Sequence, residues 1–260
     1  MSRRSRTPAV ITAAVLLFFH LPVLVLVLDS FNASRFAGRW GGWSLTWYIR
    51  LFREPAIWEA LRNTLVVAFS ATVVATLLGT AGAFALHRWK TRLQQSHYAL
   101  IVTPLVLPEI LMGMSLLLFF AALKVDLGLF TIFLAHVTFC LSYVAMVVLA
   151  RLQDFDFTLI EAAHDLGATG WTVLRRVLLP LLAPGIAAGA LLAFTLSIDD
   201  FVITFFVSGK GSTTLPVLVY SLIKHGATPL INALSTLLLA ATALLVWAAQ
   251  RLLSDSTPDL

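Results

Sequence analysis

Three apolar runs, Ala9 to Leu28, Thr64 to Leu86 and Ala99 to Leu123, decide what this chain can fold into. Each reaches the roughly 20 residues that a helix needs to cross about 30 Å of hydrocarbon. One soluble core could not bury them, because 59% of the 260 residues are hydrophobic and the mean hydropathy is +0.91. Only 12% are charged, against about one-quarter in soluble domains. The chain therefore reads as an all-α integral membrane protein.

Six spans are predicted, at about 8–28, 64–86, 99–123, 130–150, 182–207 and 232–252, forming one transmembrane domain over residues 1–260. No internal repeat or linker separates a second domain. An even number of spans puts both termini on one side. With the N-terminus inside, inner segments carry 10 Lys and Arg against 8 outside, a narrow margin for cytoplasmic termini. Arg3, Arg4 and Arg6 precede a run longer than the apolar part of a signal peptide, which reads as a retained anchor.

The single Cys140 excludes an intrachain disulfide and a multi-thiol metal site. The net charge of +5 is spread over short inter-span segments, so topology accounts for it better than nucleic-acid binding. No His-Glu metal cluster or nucleophile-base constellation lies in the spans, which argues against an intramembrane enzyme.

Two connections have character. The segment from Asp29 to Asn63 mixes Trp40, Trp43, Trp47, Tyr48 and Trp58 with arginines, as suits helices at the membrane surface. Trp47 is an interfacial anchor or a face on which a cationic amine stacks. In 151–181, Leu159, Ala163 and Leu166 share a helical face, Gly167 ends that helix in a left-handed cap, and Thr169 caps the next one. Pro180 is expected to stop this second helix.

Of 13 acidic residues, only Glu109, Asp199 and Asp200 fall in predicted spans, and of the 18 Lys or Arg only Arg251 does, at the inner edge of the last span. A carboxylate at the bilayer centre costs at least about 2.5–3.5 kcal/mol, so such groups face wet or protein-lined interiors. A cationic passenger would supply the missing counter-charge. At 1.5 Å per residue, Glu109 lies about 15 Å from the inner end of span three and Asp199 about 25 Å along span five. On a continuous helix Asp199 and Asp200 point about 100° apart, with Thr195 on the face of the first and Thr204 on that of the second. The competing readings are a hydrated helix end for the aspartates and a protonated, bundle-bonded carboxyl for Glu109. His20 and His136 read as ring donors bonded within the bundle. Gly185 and Gly189 make a small-residue packing face.

The inner segment reads Glu161-Ala162-Ala163, three residues, Gly167, nine residues, then Val177-Leu178-Leu179-Pro180. This resembles the EAA loop of ABC importer permeases, with Val177 where Ile is usual. The resemblance implies a type I ABC importer permease fold of the MetI-like kind, and a coupling helix seated in a cleft of a separate ATPase. Ala162, Ala163 and Gly167 would allow close approach, and Glu161 and Asp165 would offer charge to the rim. The alternative is an interfacial helix on lipid, which the acids disfavour.

The likeness continues through Ser30-Phe31-Asn32-Ala33-Ser34, Pro104 with Pro108-Glu109, Ala135-His136-Val137-Thr138-Phe139-Cys140, Thr195-Leu196-Ser197-Ile198-Asp199-Asp200-Phe201, Thr214-Leu215-Pro216 and Asn232-Ala233-Leu234. Nearly end to end, the chain is similar to the second permease subunit of spermidine or putrescine importers, nearer the putrescine branch. It departs at Glu109, where that family has Asp, and at Lys210, where its loop has Pro.

The resemblance implies a bacterial inner-membrane transport subunit that pairs with a homologous permease, two copies of an ATPase and a periplasmic polyamine-binding protein. No Walker A sequence is present, so ATP and Mg are expected on the partner ATPase and no cofactor on this chain. A permease for another solute (iron, thiamine or a phosphonate) and a stand-alone cation channel are the alternatives.

Overall fold

The computed structural model describes residues 7–36, 39–88, 93–153, 155–226 and 229–254. The basic flank Arg3, Arg4 and Arg6, and Lys90 and Arg92 of the second inner segment, lie outside the described residues. Among those described, the helices in order are α1 (Thr7–Ser30), α2 (Thr46–Arg53), α3 (Pro55–Arg88), α4 (Gln94–Val106), α5 (Glu109–Ala122), α6 (Leu129–Gln153), α7 (Thr158–Asp165), α8 (Gly170–Val173), α9 (Leu179–Asp199), α10 (Val202–Val207), α11 (Leu215–Lys224) and α12 (Pro229–Ser254). They divide into two compact units, Met1–Ile57 with Val219–Leu260 and Trp58–Leu218.

In the first unit α1 packs on α12, and α12 also meets α2. The 18-residue apolar window within Val10–Ser30 has no residue buried by its own chain, the mark of a helix whose solvent is lipid or another subunit. The connection that follows α1 is built on Asn32. Its amide donates to the Arg39 carbonyl at 2.7 Å and to Asp29 Oδ1 at 3.2 Å, and its Oδ1 accepts from Ser34 N–H at 3.0 Å and Gly41 N–H at 2.8 Å. Trp47 Nε1 donates to the Asn32 carbonyl at 2.7 Å, and Phe31 packs on Tyr48 with ring centroids 5.2 Å apart. These bonds order the segment whose aromatics promised order.

The second unit is arranged around α6, where 56% of the apolar window is buried, against 28% for α3 and 22% for the helix ending in α9. α9, α10 and α4 all pack on it, and α10 also packs on α5. Gly79 lets α3 approach closely, since a Cβ there would stand 2.8 Å from both the Leu141 carbonyl oxygen and Val144 Cβ.

Four helical stretches are long and apolar enough to cross a membrane alone: Val10–Ser30, Pro55–Arg88, Leu129–Gln153 and Gly170–Asp199. α4 and α5 together qualify as a fifth, bent by 111°. The predicted stretch 232–252 lies within α12.

Three sequence expectations change. The run 99–123 is not one helix, because Pro108 lacks the N–H that would continue α4, and the chain restarts as α5 at Glu109. The run 182–207 is not one helix either, since it opens at Asp200 and Phe201 between α9 and α10. Pro180 does not stop its helix. α8 passes into α9 through a π-helical turn, Leu174–Leu178, where Leu179 N–H reaches back to the Leu174 carbonyl. That wider turn absorbs the bond that Pro180 cannot make.

Candidate functional site

Both breaks open onto one cavity of about 470 Å³. Its wall includes Pro104, Pro108 and Glu109 at the α4–α5 break, Phe139 and Tyr143 of α6, Thr195 and Asp199 of α9, and Asp200 and Phe201 at the α9–α10 break. No Lys or Arg is among the described lining residues. Irregular backbone at membrane depth is tolerated where it lines a protein or water-filled cavity. Pro108 at one break and Asp200–Phe201 at the other thus make a place where helix ends and polar side chains face a common space.

The three acids differ in station. Glu109 is the first residue of α5 and exposed, at the positive end of that helix dipole. Asp199 is the last residue of α9 and exposed. Asp200 has only 5% of its side chain exposed. Its Oδ2 accepts from Thr204 N–H at 2.8 Å and Thr204 Oγ1–H at 2.7 Å, and its Oδ1 accepts from Ile203 N–H at 3.3 Å. Asp200 therefore caps α10. The expectation of two aspartates about 100° apart on one helix gives way to a helix end and a cap, with Thr204 bonded to Asp200 rather than beside it.

His136 joins this cap. Its Nε2 lies 2.9 Å from Thr204 Oγ1 and 3.3 Å from Asp200 Oδ2, and its Nδ1 lies 2.7 Å from Ser197 Oγ. The ring is a bundle-bonded histidine, as its place in an apolar run implied. Tyr143 and Phe139 went unremarked in the sequence as cavity residues. Their signal is periodic, since 136, 139 and 143 fall on one face of α6.

Trp47, in the other unit, is 4% exposed. Its N–H is spent on Asn32, and the Arg50 guanidinium lies 6.0 Å from the ring centroid. The structure gives this indole a part in ordering its own segment.

The EAA segment forms as its spacing predicts. Gly167 has φ +81°, and Ala168 N–H donates to the Ala163 carbonyl at 3.0 Å while Gly167 N–H donates to that of His164 at 2.8 Å, the paired bonds of a Schellman ending. Thr169 is extended, and its Oγ1 accepts from Thr172 N–H at 3.4 Å. Asp156 starts α7 by accepting from the Thr158 hydroxyl and N–H, which holds its carboxyl below the usual value. Glu161, Ala162, Asp165, Gly167 and Pro180 are exposed and Ala163 is half-buried. Leu166, 90% exposed, and Trp171, 69% exposed, stand beside them. Glu161 and His164 also edge a cavity of about 830 Å³ that includes His87 and Arg88 of α3.

Two cavity-lining helix breaks and a presented helical loop define a transport subunit. The family of binding-protein-dependent transport system inner membrane components matches residues 75–254, and the chain belongs to it: an ABC importer permease subunit of the inner membrane, not an enzyme. The putrescine transport system permease protein PotI of Escherichia coli K12 is 45% identical over 91% of this chain and 87% of its own length. The spermidine/putrescine transport system permease protein PotC of the same strain is 38% identical over 94% and 92%. In fold the chain resembles a subunit of a bacterial ABC transporter that imports alginate, with TM-score 0.73 at 17% identity over 96% of this chain and 98% of that one.

Proposed function

We propose that this chain forms half of a translocation path for a small polyamine, putrescine ahead of spermidine. The observation that carries the reading is the cavity at the two helix breaks, lined by Glu109, Asp199 and Asp200 with no described Lys or Arg. Such a wall favours cations and disfavours anions. The higher identity to the putrescine permease orders the two substrates.

The working unit in this reading is a six-span domain with cytoplasmic termini, paired with a homologous permease. It also has two ATPase subunits that use ATP and Mg and a periplasmic polyamine-binding protein. The exposed surface of Leu166, Trp171, Ala162 and Gly167 suits a partner cleft, with Glu161 and Asp165 at its rim. ATPase closure would move this loop, and packed helices would then switch between outward- and inward-facing arrangements.

The test is uptake of radiolabelled putrescine by the complete complex in vesicles, with spermidine, spermine and 2-aminoethylphosphonate as competitors. ATP-dependent uptake competed by the polyamines supports the proposal. Competition by the phosphonate alone would overturn the substrate class, and amine conductance without ATPase subunits would overturn the importer mechanism.

A further inference from the structure

The cavity contains three carboxylates, but they are not equally free to bind. A carboxylate has about four acceptor positions. At Asp200, whose side chain is 5% exposed, Thr204 N–H, Thr204 Oγ1–H and His136 Nε2 converge on Oδ2 and Ile203 N–H lies at Oδ1. With the proton of His136 on Nε2, one chain of donors closes: Ser197 hydroxyl to Nδ1, Nε2–H to the Thr204 hydroxyl, and that hydroxyl to Asp200. His136 is 1% exposed and Thr204 and Ser197 are buried, so the chain ties α6 to both sides of the break between α9 and α10. Asp199, one residue away, is exposed on the cavity wall.

We infer that His136 and Asp200 are a positioning pair, which fixes the α9–α10 break so that Asp199, with Glu109, meets the ammonium groups of the passenger while Asp200 does not. The inference rests on the pathway proposed above. It narrows the binding wall to two carboxylates, one from each helix break, which suits a linear cation with an amine at each end.

The experiment uses the complete complex with Cys140→Ala, which removes the chain's single thiol, and a cysteine introduced by Asp199→Cys. A cationic methanethiosulfonate reagent should label this thiol. Adding His136→Leu should change the labelling rate at least threefold. In chains that keep Asp199, His136→Leu should lower putrescine uptake at least tenfold, and His136→Gln, which retains a donor toward Thr204 and Asp200, should recover most of it. Should His136→Leu not assemble, Thr204→Val removes only the linking hydroxyl and should lower uptake likewise, with Thr204→Ser within threefold of wild type. Wild-type uptake and labelling in both His136→Leu and Thr204→Val, with Glu109→Gln and Asp199→Asn still impaired, would overturn the positioning role alone. Unimpaired Glu109→Gln and Asp199→Asn would instead overturn the pathway itself.

Discussion

The backbone N–H of Ala168 donates to the carbonyl of Ala163 at 3.0 Å, closing the end of α7 around a Gly167 whose φ is +81°. An L side chain in that conformation costs about 1–2 kcal/mol. Gly167→Ala, which meets no neighbouring atom, should therefore weaken ATPase association about 5- to 30-fold while the permease still inserts. Gly167→Asp, adding charge to the proposed docking surface, should abolish it. Co-purification of ATPase with the variants measures both, and normal recovery with Gly167→Asp would contradict the docking assignment.

Leu166 and Trp171 contact little of their own chain, so replacing them should not unsettle it. Leu166→Glu and Trp171→Ser are expected to leave the thermal unfolding midpoint of the purified subunit unchanged within about a degree, since exposed substitutions usually stay within about 0.5 kcal/mol. ATP hydrolysis stimulated by loaded binding protein should fall at least tenfold. A lowered midpoint with intact stimulation would indicate a structural role instead.

Glu109 places its carboxylate at the start of α5 on the cavity wall. A hydrogen bond to a charged group is worth about 1.5–3 kcal/mol, so Glu109→Gln should lower putrescine uptake efficiency about 10- to 150-fold. Glu109→Asp, which retracts the charge by one methylene, should retain uptake within a few fold and change the ratio of putrescine to spermidine transported. Initial-rate measurements with both amines distinguish the two variants.

At Gly79 an added methyl would meet the Leu141 carbonyl and Val144. Overpacking of this sort costs about 1–3 kcal/mol. Gly79→Ala should lower the unfolding midpoint in detergent, and Gly79→Leu should prevent stable assembly of the subunit. An unchanged midpoint for Gly79→Leu would mean that α3 and α6 do not pack here.

Asn32 holds the segment after α1 by both ends of its amide. Asn32→Asp keeps the acceptor oxygen, loses the donor to Arg39 and sets a second carboxylate beside Asp29, so it should loosen the segment more than an uncharged replacement such as Asn32→Ser. Hydrogen exchange at Ser34 and Gly41, whose N–H groups bond to Asn32, reports the effect. Protection unchanged in Asn32→Asp would show that other contacts hold the segment.

What the sequence revealed was what short-range geometry determines. The apolar runs required membrane helices, Gly167 ended a helix because only glycine is comfortable there, and Thr169 capped the next because its hydroxyl reaches three residues ahead. The differing stations of Asp199 and Asp200 were hidden, because Asp200 is claimed by His136, 64 positions earlier in the chain. Spacing rules assume a continuous helix and carry no information about a partner on α6. The burial of Trp47 was concealed for the same reason, its acceptor being the carbonyl of Asn32. Pro180 misled because a proline normally halts a helix, and the widening of the preceding turn, Leu174–Leu178, has no marker in residue type.

That widened turn also acts as a phase setting. A π turn takes up one residue more than an α turn would use, so every side chain of α9, down to Asp199, is set back by about 100° relative to the EAA loop from where unbroken α winding would put it. Winding 174–178 as an ordinary α turn without shortening the chain would turn the face that holds Thr195 and Asp199 away from α5 and α6, whereas removing one residue there would restore α winding with that face kept in register. The number of residues between loop and cavity is therefore as much a part of the machine as their identity, and a single deletion within 174–178 should be tolerated better than a single insertion.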